Sequence, residues 1–305
     1  MSRTHAASAS AFIPPVVAAV PERARLCACA LALFIVGGSV AAAATLHART
    51  PNFPQVSQTA LTPLQREIDK LRARLASSDM EERREAVTRL GAMARADSSR
   101  AALPALKDAA VIVRATAARA ILSLPASEAA AALLPLLADK DEFVRRETAY
   151  ALGETRSRTA VEALATALAR DKEAGVRGAA AVALGQIGDE AATSVLTEAI
   201  GRRIARSGFL NRITFRRTEE NEFVRRSAAV ALGQMKSRAA VPALINALAN
   251  ERAGDDVRRE AARALGLIGD PAALPTLRAA LASRDPYLSE IVSEAIRKLE
   301  SGRAV

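Results

Sequence analysis

Apolar residues recur along this chain at helical spacing, and the stretches that contain them recur at a fixed interval. A ten-residue word is written six times, over 82–91, 113–122, 144–153, 176–185, 224–233 and 257–266. The copies read ERREAVTRLG, VRATAARAIL, VRRETAYALG, VRGAAAVALG, VRRSAAVALG and VRREAARALG. Their start-to-start spacings are 31, 31, 32, 48 and 33 residues. Positions 1, 5, 8 and 9 are mostly apolar, as in Val144, Ala151 and Leu152, with Thr148 a partial exception. That is the stripe of a core-facing helix. Upstream of each word lies another helical pattern. In the last unit Asp270-Pro271 opens it, and Leu274, Leu277, Ala280 and Leu281 form its apolar face. Gly at position 10 is expected to end the second helix or nearly so. In Ile187-Gly188-Asp189 and Ile268-Gly269-Asp270, Gly stops one helix and Asp caps the next.

Each unit therefore reads as helix, turn, helix. A lone pair cannot bury its apolar faces, whereas stacked pairs can. The pattern predicts an all-α solenoid of about seven helix pairs, near 64–95, 99–123, 126–153, 158–186, 189–234, 238–267 and 270–299. Leu184 and Leu232, at position 9, are expected in the core. The end units depart from the word: Glu82 and Arg89 take positions 1 and 8 of the first, and Leu288-Ser289-Glu290 replaces V-R-R in the last. Polar changes at the ends suit capping units.

Position 2 is Arg in every copy: Arg83, Arg114, Arg145, Arg177, Arg225 and Arg258. The structural reading is a ladder that bridges to capping carboxylates such as Asp79, Asp141, Glu173 or Asp285. The other reading is a row of anion sites. Positions 3 and 7 of the second helices supply a candidate partner surface at Arg146, Tyr150, Arg226, Arg259 and Arg263.

The word V-R-x-x-A-A-x-A-L-G, followed by I-G-D and an L-x-x-L-x-x-A-L helix, resembles a HEAT-like repeat, more narrowly the short type of phycobilisome lyases and many bacterial scaffold proteins. The resemblance covers 64–299. It implies a superhelix that binds another macromolecule along its concave face. The motif specifies fold and leaves function open, because such repeats serve many roles.

The long spacing marks an insertion of about 16 residues within the fifth unit, around 201–221. It carries Arg202, Arg203, Arg206, Arg212, Arg216 and Arg217, with Phe209, Ile213 and Phe215 interleaved; Arg212–Phe215 has strand-like alternation. One reading is a basic, partly apolar finger that grips an acidic protein patch or anionic lipid. The other is a loop folded back on the solenoid with its phenylalanines packed.

Composition narrows the function classes. Half of the residues are hydrophobic but only 3% are aromatic, and there is no Trp, which argues against an aromatic-walled ligand pocket. The net charge of +10 favours anionic partners, although acidic residues are interspersed almost everywhere. The only histidines, His5 and His47, lie outside the repeats, so the His-Glu pairs of the iron-dependent hydroxylases of this fold are missing. No nucleophile with a His partner, phosphate loop or Gly-rich dinucleotide turn occurs. The expectation is a non-enzymatic binding scaffold with a protein partner, no cofactor and no metal. The alternatives are an accessory protein of the bilin-lyase type, or a basic nucleic-acid binder if the domain is cytoplasmic.

Residues 26–46 form an uncharged apolar run behind Arg23 and Arg25. As a helix it would span about 31 Å, enough for a bilayer core. It reads as a signal anchor, or as a cleaved signal peptide with small residues through Ala44. Either places the repeats outside the cytoplasm, in the cell envelope, behind a 1–25 leader and a flexible 47–63 linker; 300–305 is a tail. Cys27 and Cys29 both sit in the apolar run, so the repeats contain no thiol.

Overall fold

The computed structural model describes residues 61–205 and 217–301. Among them are fourteen α-helices in seven consecutive pairs. The first helix of each pair is α1 (Pro63–Arg74), α3 (Ala96–Ala102), α5 (Ala126–Leu133), α7 (Val161–Arg170), α9 (Thr193–Gly201), α11 (Val241–Ala249) and α13 (Leu274–Ala280). The second is α2 (Met80–Ala92), α4 (Val111–Ala120), α6 (Glu142–Thr155), α8 (Ala174–Ile187), α10 (Glu222–Gln234), α12 (Asp255–Ile268) and α14 (Pro286–Ser301). The sequence-derived units match these pairs.

Short polar side chains start several of the helices, whereas α4, α8 and α12 begin at Ala110, Glu173 and Gly254 without a side-chain cap. The Asp141 carboxylate accepts from the Phe143 amide at 2.9 Å, and Asn221 does the same for Phe223 at 2.9 Å. Asp189 and Asp270 cap the turns that lead into α9 and α13, accepting from Ala191 and Ala272. The preceding Gly188 and Gly269 hold φ of 72° and 75°, the left-handed conformation that ends α8 and α12.

One core runs the length of the repeats. Leu168, Leu184, Leu232, Leu244 and Leu248 are fully buried, so the two position-9 leucines lie where the pattern places them. Position 5 is also buried, and the one polar copy, Thr148, keeps a hydroxyl with no hydrogen-bond partner.

At position 10, Gly91, Gly153, Gly185, Gly233 and Gly266 stand one or two residues before the end of their helices, close to where the sequence places that end, but their role is a different one. They permit contact with the next unit. A Cβ on Gly153 would lie 2.7 Å from Ala183 Cα, and one on Gly185 would lie 2.7 Å from Ala231 Cα. Gly91, Gly233 and Gly266 meet Ala120, Ala264 and Ala295 in the same way. Position 10 of one unit thus abuts position 8 of the next. The exceptional copy has Leu122 there, and its helix, α4, stops at Ala120.

The second helices pack on one another more extensively than the first helices do. We term the closely packed row of second helices the inner side of the stack, and the more widely packed row of first helices its outer side.

The insertion joins α9 to α10. Its ends pair as antiparallel strands β1 (Arg203–Ala205) and β2 (Arg217–Glu219), with Arg203 opposite Glu219 and Ala205 opposite Arg217. The alternation noted at Arg212–Phe215 lies outside the described residues, as do Arg206, Phe209 and Arg216. So does the 26–46 run; among the described residues no helix is long and apolar enough to cross a membrane.

Two outcomes follow from this packing. Gly185→Ala should lower stability by roughly 1–3 kcal/mol in urea unfolding, because a methyl cannot enter the α8–α10 contact; an unchanged midpoint would contradict the contact. Thr148→Val should raise stability by about 1 kcal/mol by removing an unpaired buried hydroxyl at near-constant volume. A loss on that substitution would mean the hydroxyl has a partner.

Candidate functional site

Five of the six position-2 arginines reach the next unit; Arg258 does not join the ladder and instead donates to the Leu248 carbonyl of its own unit at 3.1 Å. Arg114, Arg145, Arg177 and Arg225 are buried, which requires a partner for each charge. Arg83 meets both carboxylate oxygens of Asp108, at 2.7 and 3.0 Å. Arg114 meets Asp139 at 2.8 and 2.9 Å, and Arg145 meets Asp171 at 2.8 and 3.1 Å. In each case the Nε and Nη2 edge faces the acid and Nη1 turns back to the carbonyls of its own helix–helix turn. Arg114 Nη1 thus donates to the Asp108 carbonyl at 2.8 Å, and Arg145 Nη1 to the Asp139 carbonyl at 2.9 Å. Every acid is held twice, by its side chain from the preceding unit and by its backbone from its own.

The acids are not those the sequence pointed to. Asp79 and Asp141 cap α2 and α6, and neither they nor Glu173 form a ladder ion pair. The ladder takes the residue two positions before each N-cap. That residue also accepts the N-cap amide: Asp108 from Ala110 at 2.8 Å, Asp139 from Asp141 at 2.9 Å and Asp171 from Glu173 at 2.9 Å. Asp285 does join an ion pair, but with Arg259 of position 3, at 2.8 and 3.0 Å.

These contacts shift proton equilibria. The Arg83 guanidinium holds the Asp108 carboxyl below its ordinary value, and Arg259 does so for Asp285. Burial pushes Asp139 and Asp171 upward, but Arg114 and Arg145, with the turn amides, outweigh it and the net shift is downward.

The insertion enters the ladder at the fourth and fifth rungs. Glu220, 3% exposed on the chain returning from β2, takes the Arg177 guanidinium at 2.5 and 3.0 Å. Glu219, on β2 itself, pairs with Arg225. Arg202, assigned from sequence to the basic finger, instead points inward and donates to the Leu168 and Ala169 carbonyls at the end of α7. It belongs to the frame. Arg203 and Arg217 lie on the paired strands.

The inner face carries the remaining candidates and a feature the sequence reading passed over. The residue just before the word is aromatic in two copies, within the repeated Glu-Phe-Val-Arg-Arg at 142–146 and 222–226. Arg146 stacks 5.2 Å from the Phe143 ring and Arg226 stacks 5.9 Å from the Phe223 ring. Arg259 sits 5.3 Å from Tyr287, the aromatic at that register in the last unit. Phe223 lies over Gly178, where any Cβ would clash with the ring. Tyr150 packs half-buried against the core, and Arg263 pairs with Glu260 on the exposed surface. Between α2, α4 and α6 lies an apolar groove of about 320 Å³, lined by Ile112, Ala115, Thr116, Arg119, Phe143 and Glu147.

Asp171→Ala should cost roughly 3 kcal/mol, since it strands the buried Arg145 charge. The aspartate rungs Asp108, Asp139 and Asp171 add stability fully present above about pH 3.9, the ordinary Asp value, and lost as pH falls through their lower folded values. Asp139→Asn with Asp171→Asn should flatten that acid dependence in chemical denaturation; an unaltered slope would remove these pairs from the acid response.

A family model of HEAT repeats matches residues 68–153, 131–206 and 212–299. Among solved structures, the YibA protein of E. coli is 22% identical, with 77% of this chain and 82% of that one covered at a TM-score of 0.54. The complex of CpcE and CpcF of phycocyanin lyase from Nostoc sp. PCC7120 is 23% identical, covering 83% and 92% at a TM-score of 0.46. Human deoxyhypusine hydroxylase, in complex with glycerol, is 21% identical over 77% and 96%, at a TM-score of 0.36. Among curated proteins, none is similar in sequence. The repeated word, the seven stacked helix pairs and the family match together establish that the chain belongs to the HEAT-repeat family.

Proposed function

We propose that this HEAT-repeat protein is a non-enzymatic scaffold that binds a protein partner along its inner face, in the cell envelope. The observation that carries the reading is the repeated Arg–aromatic pairing on that face, beside an apolar groove. Arg and aromatic residues dominate protein-binding hot spots. Here they are held by cation–π stacking and left in part open to solvent: the side chains of Arg146 and Arg226 are 38% and 43% exposed, and Tyr287 is 66% exposed. The envelope assignment rests on the apolar run at 26–46 behind two arginines. The other five arginines of the insertion, with Arg202 set aside, favour an acidic region on the partner.

A photo-cross-linking residue placed at Arg119 or Arg263 on the inner face should trap one common protein in cells, while one at Glu162 on the outer row should not. Phe143→Ala with Phe223→Ala should weaken that capture about tenfold, equivalent to roughly 1.4 kcal/mol. Equal trapping from both faces, or adducts removed by nuclease, would overturn the reading. A C-terminal tag should be open to protease in cells whose outer barrier has been removed; a protected tag would refute the envelope assignment alone.

A further inference from the structure

A cavity of about 500 Å³, of mixed apolar and charged lining, lies between α9 and α11, at the base of the insertion. It sits where the ladder changes chemistry. In the fourth unit the residue that follows the first helix is Asp171, which holds Arg145 through Nε and Nη2. In the sixth unit the same turn is built by Asn250, whose Oδ1 accepts from the Arg252 amide at 3.0 Å just as Asp171 accepts from Glu173. The rung has lost its carboxylate.

Arg225, which would have met it, is 5% exposed and only partly matched. Its Nε donates to the Ile200 carbonyl at 3.0 Å, and its Nη1 to Glu219 and to the Ala253 carbonyl. Its Nη2 has no partner among the described residues, whereas Arg114, Arg145 and Arg177 use all three nitrogens. The cavity wall also holds Thr197, whose hydroxyl oxygen is buried and unpartnered. Arg252 lines the cavity, and no carboxylate among the described residues pairs with it. The wall carries Arg202, Arg225 and Arg252 with the one carboxylate of Glu219, which Arg225 and Asn250 engage; Arg202 is held by the Leu168 and Ala169 carbonyls and lies 3.8 Å from Glu220, which leaves Arg225 Nη2 and Arg252 as the open guanidinium donors.

The corresponding space between the third and fourth units is lined by Leu134, Leu137 and Ala167 with Glu162, Arg170 and Asp171, and its Asp171 is already paired. The cavity under the insertion differs in charge, with three arginines and one carboxylate where the other has one arginine and two carboxylates, and in its buried, unpartnered Thr197 hydroxyl.

We propose that this cavity binds the oxyanion group, carboxylate or phosphate, of a small ligand. The anion sits where the ladder carboxylate is missing, taking Arg225 Nη2, the Thr197 hydroxyl and Arg252 as donors. Because Arg225 and Glu219 tie α10 to β2, occupancy stiffens the root of the insertion. The site is independent of the inner face and of any protein partner.

The test uses the full chain, melted by circular dichroism in inorganic phosphate, in acetate and in chloride at matched ionic strength. Phosphate, acetate or both should raise Tm saturably, by about 3–6 °C at ten times the half-saturating concentration. Arg252→Gln and Thr197→Val, which leave the ladder intact, should each fold and lose that saturable rise. A response to phosphate alone identifies the ligand group as phosphate, and one to acetate alone as carboxylate. A rise that grows without saturation and is identical in both variants is the general salting effect and would overturn the proposal. So would a melt no different from chloride.

Discussion

The stack depends on a guanidinium that each unit extends into the next. Helix pairs of this kind have little hold on one another beyond apolar contact, which is not directional. The Arg–carboxylate fork supplies direction. Arg114 and Arg145 fix the distance and angle between successive turns through paired hydrogen bonds, and their third nitrogen locks the turn they leave. A buried fork of this type costs desolvation, so its contribution lies as much in register as in net stability. The Gly-on-Ala contacts of the inner row complete the constraint, since they allow the second helices to approach until their backbones nearly touch.

This explains how a large insertion is accommodated without losing the stack. The turn after α9 carries Arg202 where the preceding units carry an aspartate, so the fourth rung would fail. The chain returns through β2 with Glu219 and Glu220 adjacent, and these carboxylates take Arg225 and Arg177. The insertion is therefore wired into the ladder at its root. The local change from Asp to Asn250 one unit later leaves guanidinium donors facing a cavity instead of a carboxylate.

Much of the architecture was legible because it is periodic. Helical spacing located all seven pairs, Leu184 and Leu232 fell in the core, and Gly188 and Gly269 ended their helices as the Gly-Asp steps implied. The misreadings and omissions share a cause: a residue's local meaning differs from its meaning across units. Gly185 reads as a mark of the approaching helix end, which it is, but within one unit nothing reveals that it is also the point of contact with the next. Asp141 and Asp139 are both acids of one turn, and only the geometry separates the cap from the rung. Phe143 and Phe223 stand one residue outside the ten-residue word and were overlooked for that reason, although the identical Glu-Phe-Val-Arg-Arg segments were visible. Arg202 looked like part of a basic finger because charge counts do not reveal direction.

A double-mutant cycle on Arg177 and Glu220 tests most directly whether the ladder carries the stack and anchors the insertion. Unfolding free energies of Arg177→Gln, Glu220→Gln and the double variant should be non-additive, with a coupling of roughly 1–3 kcal/mol. Additive losses would show that the two side chains act independently and that the insertion is not part of the ladder.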